Sequence, residues 1–159
     1  MLSRLITLIV LATLVGLVIW QYRTQYAVLE HHQQAQQDAA SAQADQAQLQ
    51  CNQSALARFQ ALRLDDNPTA RHKGHFNPTL DQCYILIESS ENSLDTDWKH
   101  ITLYAADGKV FASYGWHSEN GEQAADIPPY TCDVTLPTGE HRACKTEADF
   151  RNLVGAYMR

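Results

Sequence analysis

Leu5 to Trp20 reads LITLIVLATLVGLVIW, an uncharged run broken only by Thr7, Thr13 and Gly16. Its sixteen residues rise about 24 Å as a helix, against a hydrocarbon core of about 30 Å, so a membrane span needs help from its flanks. Gln21, Tyr22 and the snorkelling Arg4 and Arg23 supply it, and Trp20 and Tyr22 fall where aromatic belts sit. A secretory signal peptide opens in the same way, but cleavage needs small residues at alternating positions just past the apolar run. Ile19-Trp20-Gln21-Tyr22-Arg23 offers none. The expectation is a retained anchor over residues 5–22, with the lipid bilayer as the chain's first partner.

The N-terminal amine and Arg4 precede the run and Arg23 follows it, which weakly favours a cytoplasmic N terminus over residues 1–4. A segment that short is no domain, so the folded mass is expected on the far side. The four cysteines agree. They lack any Cys-x-x-Cys spacing and fit paired disulfides in an oxidising compartment better than zinc or redox chemistry. The expected setting is a membrane crossed once, with the C-terminal domain on the oxidising side. A pilin-like subunit is similar in outline, with a hydrophobic N-terminal helix leading to a disulfide-bonded antiparallel sheet. However, no Gly or Ala followed by an aromatic or Met opens this run, and no acidic residue lies within it.

About 136 residues follow Arg23, enough for a tether and one domain. They carry 10 basic and 18 acidic side chains, a formal charge of −8. A phosphate backbone repels such a surface, so nucleic acid is not an expected partner. Residues 23–50 are rich in Ala and Gln and contain neither Gly nor Pro, which predicts a helical stalk. Tyr22, Tyr26 and Leu29 begin a helical stripe that the next turns do not sustain, so a self-associating coiled coil is only weakly encoded.

Residues 51–159 are expected to form an α+β domain, a small antiparallel sheet packed with helices and stapled by two disulfides. Cys51, Ala55, Phe59 and Leu62, with Leu56 alongside, make one apolar stripe on a helix ending near Asp65. Asn67-Pro68 stops it, and Thr69 to Pro78 reads as a polar loop. Cys83 to Glu88 is a strand apolar on both faces. Asp107-Gly108 suits a type I′ turn that would pair Ala105 with Val110, Leu103 with Ala112 and Ile101 with Tyr114. Pro137-Thr138-Gly139 marks a second hairpin, which sets Leu136 opposite Glu140 and Cys132 opposite Cys144. Thr146 then caps a last helix whose stripe is Phe150, Leu153, Val154, Tyr157 and Met158.

Four cysteines allow three connectivities. The second hairpin favours Cys132 with Cys144, leaving Cys51 with Cys83.

Chemistry-bearing patterns are sparse. His72, His75 and His117 would bind zinc or copper only if the fold brought them together, and Gly74 disfavours a helix that would align the first two. Ser89, Ser90 and Ser113 lack a Gly-x-Ser-x-Gly elbow, and no Gly-rich phosphate loop is present. Asp65-Asp66, and Asp95 with Asp97, lack the spacing of a calcium loop. Asn52-Gln53-Ser54 matches a glycosylation acceptor but heads a helix beside a cysteine. No catalytic group, cofactor or metal is therefore expected. Trp98, Tyr114, Trp116 and His117 are the candidate partner contacts, because aromatics at strand ends are enriched in binding patches.

His75-Phe76-Asn77-Pro78-Thr79-Leu80-Asp81-Gln82-Cys83-Tyr84 resembles a segment of small, uncharacterised exported bacterial proteins. The resemblance implies a disulfide at Cys83, no activity, and a bacterial envelope setting, so that the expected location is a bacterial inner membrane crossed once with the C-terminal domain in the periplasm. The expected function is an interaction or accessory subunit of an envelope-associated assembly. Its expected partner is a membrane or envelope protein.

Overall fold

The structure is a computed structural model that describes residues 2–93, 96–119 and 127–159, with the backbone alone at 2–15 and at several positions through His31. Most side chains of the expected span thus lie outside the described residues. Among the described residues no helix is long and apolar enough to cross a membrane.

The chain divides into two units, Met1–Gln43 and Ala44–Arg159. The first is helical from Leu2 onward, as part of α1 (Leu2–Ala61). Absence of Gly and Pro after Gly16 leaves nothing to break it. Tyr22 and Tyr26, one turn apart, pack at 4.7 Å and share a hydroxyl hydrogen bond of 3.0 Å. Residues 32–46 are all exposed, as a solvated helix requires.

The second unit holds the end of α1 and a six-stranded antiparallel sheet whose spatial order follows the chain. The strands are β1 (Arg71–Asn77), β2 (Gln82–Asn92), β3 (Thr96–Ala105), β4 (Val110–Glu119), β5 (Thr131–Thr135) and β6 (His141–Ala143); α2 (Glu147–Val154) follows. This confirms the α+β class with an antiparallel sheet. Both disulfides form as the hairpin register implies, Cys51–Cys83 and Cys132–Cys144.

Side chains alternate across a strand, so the sheet has two apolar faces. On one, Tyr84, Ile101, Leu103, Ala112, Tyr114 and Val134 pack with Phe150, Val154 and Tyr157 from the C-terminal segment. Arg151 fixes α2 to that face through a two-pronged contact with Glu88, at 2.9 and 2.7 Å, and Glu147 reaches Lys99 at 2.6 Å. On the other face, Ile85 and Ile87 meet Ala55, Phe59 and Ala70. There α1 lies so close that a Cβ on Gly74 would sit 2.8 Å from the Cys51 carbonyl oxygen. Only glycine permits that approach.

Four expectations need correction. The α1 helix ends at Ala61, not Asp65, in a Schellman closure: Arg63 takes φ 55°, its N–H bonds Gln60, and the Leu64 N–H returns to Phe59. Leu56 and Leu62 are exposed, while Cys51, Ala55 and Phe59 alone form the buried stripe. The segment expected as a polar loop holds β1, because pairing with β2 satisfies its backbone although its side chains are mostly polar. Within it Asn77 is buried; its carboxamide donates to the Ala156 and Tyr157 carbonyls and accepts from Thr79 and Leu80, tying the β1–β2 turn to the chain's end.

The turn at Asp107-Gly108 is the fourth. Ile101 pairs with Tyr114 and Leu103 with Ala112 as expected, but Tyr104 rather than Ala105 faces Val110. Gly108 takes φ 94° while Asp107 does not have positive φ, and Gly108 N–H bonds Ala105, so the loop is a type I turn with a following bulge. The irregularity puts Phe111 beside Tyr84 and Tyr157, each at 5.5 Å. The second hairpin has the expected register, with Asp133 opposite Ala143 and Leu136 N–H bonding Glu140. Thr146 caps α2 by accepting from Asp149 N–H.

Candidate interaction surface

The Tyr114-Gly115-Trp116-His117 cluster splits, because successive β4 side chains point to opposite faces. Tyr114 is buried against Phe150 at 5.7 Å and belongs to the core. Trp116 packs on the same core, and its indole N–H donates to the Ile127 carbonyl at 3.2 Å. Tyr114 is thus buried in the core, and Trp116 is half-buried against it.

Trp98 and His117 stand opposite one another on β3 and β4, on the face that α1 covers nearer β1. Their rings stack at 4.9 Å and Trp98 keeps 39% of its surface exposed. Two residues that the sequence reading missed complete the patch. His100 lies one alternation along β3 from Trp98 at 6.2 Å, and the Tyr130 hydroxyl meets its ring nitrogens at 3.0 to 3.1 Å. Tyr130 lies over Gly115, where a Cβ would fall 2.4 Å from the phenol ring. Partial burial raises the Tyr130 phenol above its ordinary pKa. The period of two along Trp98-Lys99-His100 would have revealed His100. Nothing local connects Tyr130 to it.

Beside this patch a cleft of about 330 Å³ is lined by Leu64, Asn67, Ser89, Ser90, Glu91, Trp98 and His100. Its wall is fixed by Thr69, whose hydroxyl joins Asn67 and the Ser90 backbone.

The joint site imagined for His72, His75 and His117 does not assemble. His72 and His75 are on β1, separated from His117 on β4 by β2 and β3, and His72 packs at a tilt against Phe59 with ring centroids 4.6 Å apart. Among the described residues no three His, Cys, Asp or Glu side chains are placed to hold a metal ion. Asp95 lies outside the described residues. Ser113 faces Asp133 across β4 and β5, with no histidine in hydrogen-bond contact among the described residues. All four cysteines are disulfide-bonded, so none is a free nucleophile. No family model matches the chain, and neither a curated protein nor a solved structure matches it.

Proposed function

We propose that the chain is a membrane-anchored periplasmic accessory subunit that binds a protein of the cell envelope. Residues 5–22 hold it in the inner membrane, residues 23–50 tether it, and the disulfide-bonded unit makes the contact. The apolar run and its aromatic flanks support the anchor. Two disulfides in a small domain support an oxidising compartment.

The observation that carries the interaction reading is the exposed Trp98, stacked on His117 and bordered by His100 and Tyr130. An indole held rigid by neighbours loses little conformational entropy on binding, which is why such residues dominate contact energetics. Extraction of the full chain in mild detergent is expected to recover a stoichiometric envelope protein, and Trp98→Ala to reduce that recovery at least tenfold. Recovery of a bare monomer from wild type overturns the reading, and a Trp98→Ala chain that retains its partner removes the aromatic patch as the contact.

A further inference from the structure

A meander of six strands has two edges, and each exposes unpaired N–H and C=O groups unless something covers them. The β1 edge is partly covered. Gln48 of α1 donates from Nε2 to the Gly74 carbonyl at 3.0 Å, and its Oε1 accepts from the Phe76 N–H at 2.9 Å. One side-chain amide thus occupies one acceptor and one donor that a neighbouring strand would use.

The β6 edge has no such cover among the described residues. Leu136 N–H bonds the Glu140 carbonyl at 2.7 Å, and Cys144 N–H bonds the Cys132 carbonyl at 3.0 Å. In an antiparallel ladder this puts the backbone groups of Glu140, Arg142 and Cys144 toward β5, and those of His141 and Ala143 outward. All three β6 residues are exposed, and among the described residues β5 is the only strand that pairs with them. Between β6 and α2 runs a groove of about 340 Å³ lined by Arg142, Ala143, Cys144, Lys145, Asp149, Asn152 and Leu153.

We propose that β6 accepts an extended, acidic segment of a partner protein as a seventh, antiparallel strand, with alternate side chains entering the groove beside α2. Backbone bonding at His141 and Ala143 supplies affinity, and the groove supplies selection. Charge favours an acidic segment. The groove has two cations, Arg142 and Lys145, against one carboxylate, Asp149, in a chain that is otherwise acidic. Lys145 forms no ion pair with any described residue, whereas Arg142 already holds Glu140 at 2.8 Å. A second copy fits less well, because β6 against β6 would bring these cations together. The inference rests on the unit being an interaction module, but not on the membrane anchor.

The test uses the full chain in detergent micelles, followed by amide NMR. The probe is a blocked peptide of alternating Glu and Val, about seven residues long to exceed β6 at about 3.4 Å per residue. A peptide with Lys in place of Glu is the control. The acidic peptide is expected to shift the His141 and Ala143 amides and to slow their exchange about tenfold. Ala143→Pro is expected to abolish both effects at the His141 amide while Cys132–Cys144 stays oxidised, since the lost N–H faces outward and proline is tolerated on an edge. Lys145→Glu provides a second variant with an unaltered backbone, and should weaken the acidic peptide and favour the control.

No shift at about 1 mM acidic peptide overturns the proposal. So do equal shifts with both peptides, or protection of β6 that grows with protein concentration alone. Loss of the envelope partner on Trp98→Ala but not on Ala143→Pro or Lys145→Glu also overturns the edge site while leaving the tethered-subunit reading in place. The reverse pattern supports the edge and removes the aromatic patch as the contact.

Discussion

The two disulfides do different work: one ties helix α1 to the sheet, and the other ties two ends of a hairpin within it. Cys51–Cys83 lies where α1 meets β2, with Cys51 only 2% exposed and the Phe59, Ile85 and Ile87 contacts close by. Cys132–Cys144 closes a hairpin whose second strand is exposed throughout. The first crosslink reinforces a contact that apolar burial already favours. The second replaces burial that β6 does not have, keeping an otherwise polar strand in register at the open edge of the sheet. A small domain uses the same bond to tighten its core and to preserve a binding edge.

The largest effect should come from breaking the close approach at the β1 end. Gly74→Val forces a side chain against the Cys51 carbonyl and is expected to cost about 3 kcal/mol or more, read as a lower midpoint in chemical denaturation. An effect below about 1 kcal/mol would mean that α1 moves away easily. Next, replacing both Cys51 and Cys83 with Ser should cost about 2–4 kcal/mol.

The same double change at Cys132 and Cys144 should cost less. The closed segments span 32 and 12 residues, and chain entropy alone separates them by about 0.9 kcal/mol. Its distinctive readout is local: the amides at positions 142 and 144 should exchange faster while those of β2 and β3 hold. Global unfolding of equal size in both double variants would erase the contrast.

Gln48→Ala removes two hydrogen bonds from the β1 edge. A loss of about 1–2 kcal/mol is expected, together with peptide-induced protection at Gly74 and Phe76 that wild type lacks. The smallest effect is on pH dependence at α2. Burial raises the Glu147 carboxyl, but Lys99 and Arg151 outweigh it and hold the group below the ordinary carboxylate range. A depressed folded value favours the fold above the unfolded pKa and is lost as acid protonates the folded group. Stability should therefore decline through and below the usual carboxylate range, less steeply in Lys99→Met. An unchanged acid profile in that variant would show that Arg151 alone sets the effect.

At the alkaline limit the sign reverses. Burial, with the Tyr84 phenol adding to it, pushes Tyr157 up to about 12. Its contribution is complete below the ordinary tyrosine value near 10 and is lost as pH rises toward 12.

Local order was readable in the chain wherever a short-range rule acts alone. Pro137-Thr138-Gly139 set the register that puts Cys132 opposite Cys144, and Thr146 marked the start of α2. The apolar spacing of Phe150, Val154 and Tyr157 identified the side that packs on the sheet. These features depend on turn geometry, capping and helical period, all of which operate over a few residues.

Tertiary structure decided the rest. Arg71–Asn77 has little strand character in its side chains, and becomes β1 because β2 offers it a ladder and Gly74 admits α1. Tyr114 and Trp116 look like His117 in sequence, yet β4 alternation sends them to the core face and leaves His117 with Trp98. Tyr130 reaches His100 only because β5 lies beside β4, and Gln48 covers β1 only because the helix end packs over it. The physical reason is common to all four. Which edge is covered and which aromatic stays exposed depend on contacts between distant segments, and no local propensity encodes them.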